Sequence, residues 1–315
     1  MWLSLAFLSA FLLGCYEVCK KKSLDNNAVI PVLFLNTCFC SLLFLPCIVL
    51  SYGFPEFMRN SLFYVPPSTG HEHIYIIGKA ALVLTSWTCA YFATKHLPIT
   101  IAGPIKASQP ILTLVGALLI FGEQLNLYQW IGVILAIVSF IMLSFSGRKE
   151  GINFKHNIWI LFIVLATITG AASGLYDKYL MASSGAGLDR LFVQGWYNLY
   201  QAVIMGIIML LVWLPERKRA LDRAVPGTRP DYVPFVWKWS IPFISLALTA
   251  ADLAYLYALT MPGAMISVVS MIRRSSVLVS FVFGAVVFHE KNLRSKALDL
   301  VFVLLSLILL LLGTV

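Results

Sequence analysis

Charged side chains are scarce in this chain, at 12% of its residues, where a soluble domain carries about a quarter. That shortage excludes an ordinary water-facing surface. Acidic residues are the rarer sign, 14 Asp and Glu against 23 Lys and Arg, for a formal charge of +9. A basic excess can signal nucleic acid. Here the basic residues lie in short clusters between apolar runs, the pattern of membrane-protein loops, and no nucleic-acid partner is expected. Cysteine is confined to Cys15, Cys19, Cys38, Cys40, Cys47 and Cys89. All fall in or beside the first three apolar runs, which argues against structural disulfides and favours small buried side chains. No Walker A loop, Ser/His/Asp pattern or zincin-like pattern is present, so neither ATP coupling nor enzymatic chemistry is expected, and no cofactor. His71-Glu72-His73 is a lone cluster without a fourth ligand, and a solvated loop is the simpler reading. No separate soluble domain fits between the apolar runs, because the two longest connections cover only about 52–73 and 215–235.

Apolar residues are abundant: 60% of the chain, with a mean hydropathy of +0.86. An apolar run of about 20 residues crosses a bilayer core as a helix. Such runs recur at 2–19, 28–51, 74–94, 98–121, 127–146, 157–180, 190–214, 236–259, 263–288 and 294–314. Lipid offers no partner for a free backbone group, so each run should be helical, giving an all-α polytopic membrane protein of ten spans. The first run reads as a retained span rather than a signal peptide, since Lys20, Lys21 and Lys22 follow it instead of preceding it. Sixteen of the 23 Lys and Arg residues fall in odd-numbered connections or at the span starts that border them, two in an even-numbered connection or at a span start bordering one, and five deeper within spans. The positive-inside rule then puts the odd connections in the cytoplasm and both termini outside the cell membrane.

The two halves of the sequence resemble each other. Gly14-Cys15-Tyr16-Glu17 recurs as Gly174-Leu175-Tyr176-Asp177, Ala90-Tyr91 recurs as Ala254-Tyr255, and Phe121-Gly122-Glu123 recurs as Phe288-His289-Glu290. The offsets stay within a few residues of one another, which indicates duplication, with repeats over 1–150 and 151–315. Five spans is an odd number, so the second copy should sit inverted in the membrane. Inverted repeats are the plan of many secondary transporters, with substrate bound near the midplane at the repeat interface.

Pro104-Ile105-Lys106-Ala107-Ser108-Gln109-Pro110, with Phe121-Gly122-Glu123-Gln124-Leu125 and Trp130-Ile131-Gly132 after it, resembles the end of an EamA-type repeat. The whole chain resembles the ten-helix branch of the drug/metabolite transporter superfamily. The resemblance implies alternating access through a cavity lined by helices 1, 3, 4, 6, 8 and 9, with helices 5 and 10 peripheral. It implies a small-molecule substrate without naming one, and the outside termini read here depart from many relatives.

Charges inside spans are the candidate site, because each costs at least ~2.5–3.5 kcal/mol at the bilayer centre unless it faces protein or water. Lys106 in span four and Arg273 in span nine are equivalent through the Glu123/Glu290 alignment, and Arg274 is adjacent. They read either as a paired site for a carboxylate or phosphate, or as counter-charges to buried acids. Asp252 lies deepest in a span and suits pairing with Arg273 or Arg274, or carrying a proton. Glu17 and Asp177 are gating candidates, or interfacial acids held by Lys20 and Lys178. Lys79, one turn into its span, should snorkel outward. Tyr16, Tyr91, Tyr176, Tyr255 and Trp87 are candidates for substrate stacking or gating, with ordinary packing as the alternative, and Gln109 for hydrogen bonding.

These features predict a secondary transporter of a small anionic or zwitterionic metabolite, with export favoured over uptake. Coupling to protons or a counter-substrate, and a monomer or homodimer in the bilayer, stay open. An intramembrane flippase or enzyme acting on an anionic lipid headgroup, an exporter of cationic drugs, and a membrane scaffold are the rivals.

Overall fold

In the computed structural model, residues 2–61, 63–109, 111–113, 115–116, 126–148, 156–181, 185–222, 233–260, 272–273, 275–289 and 293–313 are described. Among them all regular structure is helical. The helices are α1 Trp2–Leu24, α2 Val29–Gly53, α3 Gly70–His96, α4 Ile99–Ala107, α5 Leu127–Arg148, α6 Ile158–Met181, α7 Arg190–Ile208, α8 Ser240–Thr260, α9 Ser276–Val286 and α10 Leu293–Leu312. A single turn at Pro55–Met58 follows α2, and α7 continues through a π-helical stretch, Met209–Trp213, to Asp222. By length and composition α1, α2, α3, α6 and the extended α7 can each cross a membrane.

These helices expose large apolar side chains and bury a minority of polar ones within a mainly apolar core. On α2, Leu42, Val49 and Leu50 are exposed, whereas Asn36, Thr37 and Ser41 are buried. Lipid tails are as apolar as leucine, so helices associate through close packing and interhelical hydrogen bonds. The principal packing pairs are α1 with α8, α3 with α6, α5 with α10, and α2 with α7. Serines pin three of them. Ser9 donates to the Ala251 carbonyl at 2.7 Å and Ser86 to the Ala166 carbonyl at 2.7 Å. Between α5 and α10 the bonds are reciprocal: Ser139 donates to the Asp299 carbonyl at 2.9 Å, and Ser306 to the Gly132 carbonyl at 2.8 Å. Each such bond contributes about 0.6–2 kcal/mol.

The ends of the bundle differ in chemistry. At one end Asn26 turns the chain with a positive φ of 46°, a backbone geometry that asparagine tolerates. Asn27 then accepts from Val236 N at 2.9 Å and donates to Val236 O at 2.7 Å, tying the α1–α2 connection to the segment before α8. Lys21 donates to the Thr94 and Leu97 carbonyls at 2.7 and 2.5 Å, placing positive charge on the negative end of α3. Lys95 reaches the Asn27 carbonyl at 2.8 Å. At the other end Glu72 accepts from Thr69 N at 2.7 Å and caps α3. Asp189 caps α7, accepting from Leu191 N at 2.8 Å and Phe192 N at 3.2 Å. His71-Glu72-His73 is therefore the first turn of a helix, not a solvated loop. His73 contacts Ser68 at 3.0 Å and Tyr200 at 2.9 Å and packs on Trp196 and Phe192.

Candidate functional site

Two helix breaks organise the centre of the bundle. α4 carries Pro104 and ends at Ala107, where Ser108 N and Ser108 Oγ both donate to the Ile105 carbonyl, at 3.2 and 2.6 Å. Ser275, ahead of α9, does the same with the Ile272 carbonyl, at 3.0 and 2.6 Å. The next turn starts identically, with Ile111 N on Ser108 O at 3.0 Å and Leu278 N on Ser275 O at 2.9 Å. Lys106 and Arg273 each stand two residues before such a serine. A broken helix leaves polar backbone at depth, tolerated only where it lines protein or a cavity.

Lys106 donates to Glu17 Oε1 at 2.6 Å, and Lys20 ion-pairs with the other carboxylate oxygen. Lys20 is 0% exposed. Its ammonium lies 4.8 Å from the Tyr16 ring centroid and 5.4 Å from that of Tyr91, and Lys106 lies 5.9 Å from Tyr16. Ring faces stabilise desolvated cations. Reading Lys20 as a loop residue was therefore wrong: α1 runs on to Leu24 and carries it inside the bundle. Glu17 is shared between two cations rather than held by Lys20 alone. Gly14, one turn before, lies directly against Val279 of α9 and the Ser276 carbonyl.

Arg273 ion-pairs with Asp252 of α8 and lies 4.7 Å over the Tyr255 ring. Gln194 of α7 donates to Asp252 at 3.5 Å and to Tyr197 at 3.3 Å. Lys79 ion-pairs with Asp177 and sits 5.0 Å over the Tyr197 ring. Lys79 was expected to snorkel outward. It is only 6% exposed, because α6 brings a carboxylate to it inside the bundle. Asp177 accordingly pairs across helices with Lys79.

Among the other expected residues, Tyr176 donates to the Tyr75 carbonyl at 3.3 Å and stacks on Tyr179. Trp87 packs against the cluster holding Tyr16, Tyr91 and Cys40. The Gln109 amide lies over Gly170 of α6. Arg274, Glu123 and Glu290 lie outside the described residues. Sequence reasoning singled out Asp252 but missed the residues around it. Gln194, Asn198 and Gln201 recur at i, i+4 and i+7 on α7, and Ser245 and Thr249 precede Asp252 at the same spacing on α8. Polar residues at helical spacing inside an apolar span were the available signal.

Comparison with known proteins fits this architecture. Residues 1–145 match the EamA-like transporter family. A curated relative, the S-adenosylmethionine uptake transporter of Rickettsia prowazekii (strain Madrid E), is 24% identical over 183 residues, 58% of this chain and 53% of that protein. The chain thus spans about half the length of the curated relative it matches. One solved crystal structure, described only as a protein, has the same fold at a TM-score of 0.59 and 14% identity, over 98% of this chain and 97% of that one. The family match and the apolar helices together make this a multi-pass membrane protein that resembles the drug/metabolite transporter superfamily.

Proposed function

We propose that the protein is a secondary transporter moving a small zwitterionic organic metabolite by alternating access between two inverted five-helix repeats, residues 1–150 and 151–315. The observation that carries the reading is the mixed-sign charge inside an apolar bundle: Lys106–Glu17–Lys20, Arg273–Asp252 and Lys79–Asp177. A zwitterion can replace protein partners on both sides. Its carboxylate takes the place of Glu17 or Asp252 beside a cation, and its ammonium takes the place of a cation beside an acid. A purely anionic substrate would leave the displaced carboxylate uncompensated at depth, which costs several kcal/mol (about 3–5). S-Adenosylmethionine, in the name of the Rickettsia protein, carries an α-amino acid group of this class.

Three sets of contacts support the inverted repeat. The serine turns at Ser108 and Ser275 are 167 residues apart, as are their acceptors Ile105 and Ile272. The α5–α10 bonds exchange under the same offset, Ser139 with Ser306 and Gly132 with Asp299. The packing pairs α1–α8 and α3–α6 also exchange when each helix is advanced by five, counting cyclically. Rocking of one repeat against the other would exchange their conformations. The state opposite to this one then brings Arg273 to Asp177 and releases Lys106 from Glu17. In this reading the lysine-rich end faces the cytoplasm, with both termini outside.

Thermal stability of the purified protein against zwitterions (S-adenosylmethionine among them), organic anions, sugar phosphates and hydrophobic cations tests the substrate class. Native-state binding raises stability by about 2.7 kcal/mol at a hundredfold excess over Kd. A response to zwitterions that is lost in Arg273→Gln is expected. A response confined to hydrophobic cations overturns the reading in favour of a cationic-drug exporter, and one confined to phosphates in favour of a lipid-headgroup protein.

A further inference from the structure

Beside the ion pairs runs a neutral polar seam between α2, α7 and α8. Gly195 of α7 faces Ile48 of α2, and Gly206 faces Phe34, so the two helices run antiparallel and Gln201 falls level with Cys40 and Ser41. On the α8 side, Asn36 Oδ1 accepts from Ser245 at 2.9 Å, and Thr249 approaches Cys40 Sγ at 3.9 Å. On the α7 side, Asn198 donates to the Gln194 carbonyl at 3.0 Å, and Gln194 reaches Asp252. The seam therefore ends on the carboxylate that holds Arg273.

Most of its groups are satisfied, but two amides are not. Gln201 is 0% exposed, and neither Oε1 nor Nε2 has a partner among the described residues. Asn36 is 0% exposed, and its Nδ2 is likewise unpartnered among them. The Tyr91 hydroxyl, in the same buried cluster as Cys40 and Met205 and near enough to Asn36 and Tyr16 to interact with both, also makes no hydrogen bond of normal geometry among the described residues. Leaving a buried donor or acceptor unmade costs about 1–3 kcal/mol, and few are left so in native proteins. A free carboxamide offers a donor and an acceptor side by side. Its complement is a planar acceptor–donor edge, such as another carboxamide or the edge of a nucleobase.

We infer that Gln201, with Asn36 about one turn from its level on α2, forms a second subsite that receives a neutral donor–acceptor edge on the transported molecule, while its charged groups engage the ion pairs. This rests on the zwitterion-transporter reading and deepens it: the substrate is a zwitterion bearing a carboxamide or heterocyclic edge. The subsite closes around the substrate as the helices pack, so the amides are buried when the seam is shut. An apolar side chain entering the seam would leave the amides unpaired and be rejected.

The test measures binding by the full-length purified protein of matched zwitterions, glutamine against norleucine and S-adenosylmethionine against methionine. The wild type should prefer the edge-bearing member of a pair by about tenfold or more. Gln201→Leu, which suits an apolar helix, should abolish that preference while binding the alkyl member at least as well. Gln201→Asn, keeping the amide on a shorter stem, should fall between. Equal binding of both members by the wild type, or a preference surviving in Gln201→Leu, overturns the subsite and leaves the transporter reading intact. Gln201→Leu that raises stability without changing preference assigns the amide to helix packing or a buried water and overturns it equally. Silence towards every zwitterion overturns the underlying reading, and the subsite with it.

Discussion

Lys106 and Arg273 stand at the same place before the same serine turn, yet they close on acids from different positions of the bundle. Lys106 holds Glu17 of α1, whereas Arg273 holds Asp252 of α8. The residue matching Glu17 is Asp177, which is occupied by Lys79. The two halves share a backbone plan and differ in how their charges are paired. In the inverted-repeat transporter proposed above, such a difference would mark a state open to one side.

If Arg273 meets Asp177 in the opposite state, Arg273→Asp and Asp177→Arg should each abolish flux in proteoliposomes. The double charge swap should restore a measurable part of it, although the two residues hold different partners in this structure. Absence of any rescue, with the swapped protein folded, would count against the exchange.

Glu17 compensates two cations, one of them fully buried. Glu17→Gln should therefore lower stability by about 3–5 kcal/mol, the cost of an uncompensated buried charge. Lys106→Gln leaves the Lys20–Glu17 pair in place and should cost less. Unfolding of the two variants in detergent compares them directly, and an equal cost would mean that Lys20 needs no anion.

Asp252 joins Arg273 to the Gln194 amide, which makes it the acid to test for coupling. Asp252→Asn should retain exchange of substrate between the two sides but lose the dependence of net flux on a pH gradient. Full pH-dependent transport by the variant would remove Asp252 from coupling.

Gly14 and Gly174 occupy matching places, but a Cβ added at Gly14 would collide with Val279, whereas one added at Gly174 would stand 3.8 Å from Thr113. Gly14→Ala should cost about 1–3 kcal/mol through overpacking of α1 on α9. Gly174→Ala should be close to neutral. Melting temperatures of the two variants give the comparison, and equal shifts would contradict the packing argument.

Much of this protein was legible in its sequence. Five of the expected runs are, among the described residues, helices long and apolar enough to cross a membrane, because a bilayer sets a minimum run and leaves backbone no alternative to helix. Composition excludes a soluble domain for the same reason. The offset between Lys106 and Arg273 is a property of the sequence, and it reappears unchanged in the serine turns and the α5–α10 bonds. What the sequence could not decide is which charge meets which. Proximity along the chain suggested Lys20 as the partner of Glu17, and that pair is present. The bundle added Lys106 from α4 to Glu17 and brought Lys79 from α3 to Asp177, because cross-helix neighbours depend on crossing geometry that no local pattern encodes. The same holds for Gln201 and Asn36. Their identity is written in the chain, but that they are buried and lack partners among the described residues emerges only once α2, α7 and α8 pack together. In a membrane the solvent dictates the elements, while the few polar contacts among them, each conditional on the others, choose the site.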